Sequence, residues 1–211
     1  MHESMISAQE ALQRLRDGNR RFVSSLGKGN DAPDTARRME LMKEQKPFAI
    51  ILGCSDSRVP AELVFDQGLG DLFVIRVAGN IVAPSQVDSV EFAASRFGTR
   101  LVVVLGHSQC GAILATLEEL QQPPERQSRN LRSIVDRVRP SVEGVLKSGI
   151  GHDMHAVVHE AVRSNVRTSV NHLRYGSTVL EQLVRNDGLL VVGAEYSLET
   201  GEVEFFDGVG G

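Results

Sequence analysis

Four short apolar runs limit what this chain can fold into: FAIILGC (48–54), DLFVIRVAG (71–79), RLVVVLGH (100–107) and GLLVVGAEY (188–196). Each has the length and β-branched richness of a strand, and each is bounded by glycine or polar residues. None alternates apolar with polar residues, so each is expected to be buried on both faces. That is the pattern of a parallel sheet covered by helices on either side. Helical patterns separate the runs, over 86–97, 110–120, 131–138, 140–147, 152–175 and 177–186. The closing GEVEFFDG alternates after an ETGE turn and is expected as an antiparallel edge strand beside GLLVVGAEY. The expected class is α/β: a central, mostly parallel sheet of four parallel strands plus an antiparallel C-terminal edge strand, flanked by helices.

Ahead of the first run, SAQE precedes Ala11, Leu12, Leu15 and Phe22 at helical spacing. Ser7 as N-cap and Glu10 at the third helical position fit a capping box, predicting a helix to about Leu26. A second helix is expected from Asp34 to Gln45, stopped by Pro47. With no internal repeat, low-complexity tract or long linker, residues 1–211 read as a single domain, an N-terminal helical arm (1–45) and an α/β core (46–211).

Charge narrows the partners. Against 23 Lys and Arg stand 27 Asp and Glu, a formal net charge of −4, which gives no basic footprint for nucleic acid or an anionic membrane. The apolar runs fall far short of the ~20 residues of a membrane helix. The N-terminus shows neither a basic nor an apolar signal region, so a soluble, cytoplasmic protein is expected. In that compartment the two cysteines, Cys54 and Cys110, stay reduced. Inert buried thiols, a redox pair and metal ligands are then the open readings.

Position decides among them. In an open α/β sheet, ligands gather beyond the C-terminal strand ends where the winding reverses. One strand end here offers Cys54-Ser-Asp56-Ser-Arg58 and another offers His107-Ser-Gln-Cys110. His-x-x-Cys lets two side chains converge on one ion, and Cys54 joins them if the two strands are neighbours. Two cysteines and a histidine form a zinc set of the catalytic kind, with the fourth position left open. A structural ribbon would need a second C-x-x-C, and a redox motif would need a first.

CSDSRVP (54–60), RVAGN (76–80) and GHSQCGA (106–112) together resemble the signature of the β-class carbonic anhydrases, within a likeness that runs through residues 44–80. The resemblance implies that Cys54, His107 and Cys110 bind one Zn2+ per chain. It implies reversible hydration of CO2 to bicarbonate and a proton by zinc-bound hydroxide. Asp56 and Arg58 would form a dyad that gates or orients the fourth zinc position, with Asp56 itself as fourth ligand in a closed state. Gln45 matches a glutamine that reaches bound substrate from the partner subunit, so a homodimer or homotetramer is implied, with the N-terminal helix as its embracing arm. Gly79, Val59 and Phe65, with Ile81 and Val82, are the expected substrate-side residues. Arg76 matches an arginine that is structural or lines a bicarbonate pocket. The tryptophan that accompanies an inhibitory bicarbonate site is replaced by Ile51. Hydrolysis of COS or CS2 at the same zinc, or a closed non-catalytic zinc protein, are the alternative readings. His152, His155 and His159 share a predicted helix, where a solvated or interfacial role is expected, with charge switching near neutral pH.

Two thiolates cancel the formal charge of a divalent zinc, so bound water should be less acidic than with three neutral histidines, where its pKa is about 7. Activity is therefore expected to rise through mildly alkaline pH. A flat stopped-flow profile between about pH 6 and about pH 9 would contradict this expectation.

Overall fold

The computed structural model describes residues 6–24, 35–123, 131–149 and 153–210. Five strands form one sheet: β1 (Ala49–Gly53), β2 (Leu72–Arg76), β3 (Leu101–His107), β4 (Leu190–Tyr196) and β5 (Val203–Asp207), in the order β2-β1-β3-β4-β5. The first three pairings in that order are parallel, and β5 runs antiparallel to β4, as expected. Every residue of β1 and β3 is buried. Their side chains divide by parity: Ala49, Ile51, Leu101, Val103 and Leu105 face one layer, and Ile50, Leu52, Val102 and Val104 face the other. This is why the runs cannot alternate in polarity.

Helix α1 (Ala8–Val23) and the one-turn α3 (Ala61–Val64) cover the first face. The second is covered by α4 (Pro84–Arg96), α7 (Met154–Tyr175) and α8 (Thr178–Asn186). A third cluster forms where α5 (Gly111–Gln121) and α6 (Arg132–Lys147) meet α7, and both cysteines lie in it. Helix starts follow local chemistry. Ser7 Oγ accepts from Glu10 N, Asp153 from His155 N and Ser177 Oγ from Leu180 N. Pro84 begins α4, where its missing N–H costs nothing.

Several expectations need correction. The second helix, α2, covers only Thr35–Leu41 and leaves Gln45 in exposed coil. The proline at 47 keeps Lys46 out of the helical region, and the chain is already extended before β1. The expected break at Pro140 is absent: α6 runs through it, because Val135, Val138, Val142 and Val145 form one continuous buried stripe. Burying that stripe outweighs the roughly 3 kcal/mol that an internal proline costs. The start of α7 at His152 lies outside the described residues, as do Leu26 and Asp34. Helix α3 carries no periodic signal long enough to be read.

Within its own chain, α1 is seated on the core. Ala8, Ala11, Leu12 and Leu15 are buried in their own chain's core. Asn19 fastens the helix, donating to the carbonyls of Val64 and Gly201 and accepting from Val203 N. Gly18 sits so close to the end of α3 that a Cβ there would lie 1.8 Å from Phe65 O. Helix propensity alone predicts that Gly18→Ala stabilises by about 1 kcal/mol. The close approach reverses the sign: Gly18→Ala is expected to destabilise by about 1–3 kcal/mol, read as a lower urea midpoint. A raised midpoint would show that α1 is not seated this tightly.

Candidate metal centre

Sheet order sets up the site. From β1 the chain moves outward to β2, then returns across β1 to β3, so the winding reverses between β1 and β3. Gly53 is the last residue of β1 and His107 the last of β3, in strands paired with Gly53 opposite Leu105. Cys54 and His107 therefore leave the sheet side by side. A turn carries the chain from His107 to Cys110 at the start of α5, with Gln109 in the left-handed region (φ +53°). Glu199, on the β4–β5 connection, holds that turn by accepting from Ser108 Oγ at 2.8 Å and Gln109 Nε2 at 3.0 Å.

The Sγ atoms of Cys54 and Cys110 and a ring nitrogen of His107 lie within 4.8 Å of one another, and all three residues are buried. Among the described residues, no other group of three or more such side chains converges this way. His107 is fully buried, with Nδ1 2.9 Å from Ser108 O. That contact makes Nδ1 the protonated nitrogen and leaves the Nε2 lone pair facing the sulfurs. Nε2 has no hydrogen-bond partner. A buried, orphaned imidazole nitrogen facing two thiols is costly unless something binds it, and a metal ion satisfies all three donors.

The two thiols are one electrostatic unit. Cys54 is drawn down to about 4, chiefly by its hydrogen bond with Cys110, against burial and with help from His107 and the Gly79 and Asp56 amides. Cys110 is pushed up by the same Cys54 contact and by burial. His107 is raised: its burial is outweighed by the attraction of the Cys54 sulfur beside it. Without a metal the pocket therefore favours negative charge on the Cys54 sulfur, the form that ligates metal, and opposes a second charge on Cys110.

Asp56 and Arg58 stand at its edge. Arg58 donates through Nε to Asp56 Oδ1 at 2.9 Å and through Nη2 to Oδ2 at 2.7 Å, and its backbone N–H also donates to Oδ1. This two-pronged grip holds the Asp56 carboxyl well below the usual carboxylate range. Asp56 Oδ2 is 3.8 Å from His107 Nε2, so the carboxylate faces both its arginine and the donor cluster.

The other expected residues fall in different places. Gly79 touches the cluster directly: its N–H donates to Cys54 Sγ at 3.3 Å. Ile81 belongs to the same buried cluster as both cysteines. Val59 and Phe65 are instead almost wholly buried in the core beneath α1, where Phe65 meets Phe205, so packing consumes both side chains. Val82 belongs to the layer under α4 and α7. Gln45 is exposed and is not drawn to the cysteines within this chain. Arg76 donates to the carbonyls of Cys54 and Asp56, bracing the backbone that carries the first ligand and the carboxylate. His155 is exposed, and His159, also exposed, contacts Glu160 and Glu195. Glu199 was not legible in the sequence, because a single glutamate in a turn carries no motif. Asn165 and Ser169 on α7 were also missed; their polarity within a buried helical stripe was the available signal.

Comparison with known proteins identifies the family. Residues 49–203 match the family model described as carbonic anhydrase. A carbonic anhydrase of Mycolicibacterium smegmatis is 39% identical over 92% of this chain and 91% of its own length. Carbonic anhydrase 2 of Mycobacterium tuberculosis is 35% identical over 95% of this chain and 93% of its own. Among solved structures, the Coccomyxa β-carbonic anhydrase in complex with acetazolamide superposes with a TM-score of 0.72 at 25% identity, covering 92% of this chain and 86% of that one. A tetrameric β-carbonic anhydrase of Sordaria macrospora shares the fold with a TM-score of 0.73 at 21% identity, over 93% and 97% of the two chains. With its buried Cys-His-Cys group at the reversal point of a mostly parallel sheet, the chain belongs to the β-carbonic anhydrase family.

Proposed function

We propose that this protein catalyses the reversible hydration of CO2 to bicarbonate and a proton, with Zn2+ held by Cys54, His107 and Cys110. The observation that carries the reading is the convergence of two buried thiols on an imidazole nitrogen that has no other partner. Two sulfurs and one nitrogen suit a thiophilic, redox-inert cation, and three protein ligands rather than four are the number found in catalytic zinc sites. When bound, zinc supplies a Lewis acid that brings deprotonation of water into the physiological range.

The remaining work falls to the chain. Asp56 is ionised at neutral pH because Arg58 holds both its oxygens, so it acts only as an acceptor. Its Oδ2, on the side of His107 Nε2, can accept a hydrogen bond from the attacking water and fix the direction of that water's lone pair. Arg58 keeps the carboxylate turned to this task. The Asp56–Arg58 pair is at full strength above the ordinary carboxylate range and weakens only as pH falls through the depressed Asp56 value. A change in rate between about pH 6 and about pH 9 is therefore not the titration of Asp56. Ile81, in the same apolar cluster as the two cysteines, is the side chain we assign to the apolar side of the CO2 site. Val59 and Phe65 belong instead to the cluster beneath α1.

We assign Gln45 to the site of a second copy of the chain. The side chain is exposed here, and the neighbour from Sordaria macrospora is described as tetrameric.

Stopped-flow CO2 hydration on protein of measured zinc content tests the main reading. Wild type should carry about one zinc per chain and hydrate CO2. Arg58→Ala should keep its zinc yet lose about a hundredfold in rate, because Asp56 is no longer held. A zinc-loaded wild type without hydration would overturn the reading, and an unchanged Arg58→Ala rate would remove the dyad from it. Shared sites have their own signature. Gln45→Ala and His107→Ala proteins, each impaired alone, should regain activity when mixed and allowed to exchange subunits. Strictly additive activity would place Gln45 outside the partner's site.

A further inference from the structure

The turn after β2 runs through left-handed backbone at two successive residues. Gly79 has φ +70°, and Asn80, which carries a side chain, has φ +43°. A Cβ on Gly79 would stand 2.8 Å from Ala112 Cβ on α5, so the turn is pressed against the helix that begins just after Cys110. Left-handed backbone at a non-glycine residue persists only where its surroundings enforce it. In this orientation the Gly79 N–H points at Cys54 Sγ, 3.3 Å away.

The enforcement comes from α7, an element that contributes no candidate ligand. Asn165 Nδ2 donates to Gly79 O at 2.8 Å, and Ser169 Oγ donates to Asn80 O at 2.9 Å. Both side chains are only 2% exposed, so neither bond competes with water. They lie four residues apart, one turn along the same face of the helix. Successive carbonyls of the strained turn are thus fixed from one side, while the amide between β2 and the turn is aimed at sulfur on the other.

We propose that Asn165 and Ser169 are positioning residues for the metal centre. By fixing the carbonyls of Gly79 and Asn80 they hold the Gly79 N–H on Cys54 Sγ and so set how much charge that sulfur gives to the metal. The inference rests on the reading of Cys54 as a metal ligand. A thiolate that accepts an N–H bond donates less charge to its metal, and loss of such outer partners typically costs 10–100-fold in affinity or activity.

Two measurements test it, one of them without metal. In the metal-free wild type, the Gly79 amide should be protected from hydrogen exchange. In Asn165→Leu, which keeps bulk but cannot donate, and in the milder Ser169→Ala, it should exchange at least about tenfold faster. In the Co2+-loaded proteins, the near-ultraviolet sulfur-to-cobalt band should move to longer wavelength in both variants, because the Cys54 sulfur has become more electron-rich. A merely structural role would not move that band. Should Asn165→Leu fail to fold, Ser169→Ala carries the test. A Gly79 amide that exchanges freely in wild type, or exchange and cobalt spectra unchanged in a folded variant, would overturn the proposal. A wild type that takes up neither Co2+ nor Zn2+ would overturn the zinc reading instead, and with it the charge-tuning role; the exchange data would then still show whether α7 holds the Gly79 amide.

Discussion

The parallel pairing of β1 with β3 is the contact on which the site depends. Cys54 and His107 are far apart in the chain and belong to different strands, yet the register that sets Gly53 against Leu105 delivers them to one corner of the sheet. A two-residue slip of either strand would keep the hydrophobic faces matched while moving one ligand by about 7 Å, beyond the reach of a shared ion. Burial on both faces makes the pair rigid. Ile50 and Leu52 pack on one side, Ala49 and Ile51 on the other, and none has room to shift.

Placing two thiols and an imidazole in an apolar cluster creates a charge problem, and the fold meets it with oriented dipoles. Cys54 receives the Gly79 amide and lies beside His107. Cys110 sits at the N-terminal end of α5, where the Ala112 and Ile113 amides draw its proton affinity down against burial and the neighbouring sulfur. Arg76 and Glu199 act on backbone and turn rather than on the ligands themselves, one bracing 54–56 and the other the 107–110 turn. The donor atoms are thereby held in place, and the carboxylate of Asp56 beside them is committed to Arg58.

Much of this was legible in the sequence, for identifiable reasons. Doubly apolar runs of strand length indicate covered parallel strands, so the sheet and its antiparallel edge strand could be read; β1 and β3 are fully buried as expected, whereas β2, at the other edge, is only half-buried. The candidate ligands could be read because they sit directly after such runs, and the structure brings Cys54, His107 and Cys110 close enough to hold a single ion. Elements decided by tertiary contact could not. Pro140 marks a helix end locally, but a buried valine stripe on either side overrides it. Phe65 and Val59 look like pocket walls by proximity to the motif, yet α1 folds over them. Asn165 and Ser169 lie roughly ninety positions from the turn they hold, and no local pattern connects them.

The fastening of α1 has a consequence for the order in which the molecule is completed. Asn19 bonds both to Val64 and to the 201–203 segment, which is 182 residues further along the chain at its nearest point. These last bonds cannot exist until the C-terminal hairpin is present. Of the described helices, the earliest in the sequence is thus among the last to be locked. Until then, Leu12 and Leu15 and the sheet face they cover must wait without their final cover. Such long-range closure slows folding and leaves apolar surface open to association in the meantime.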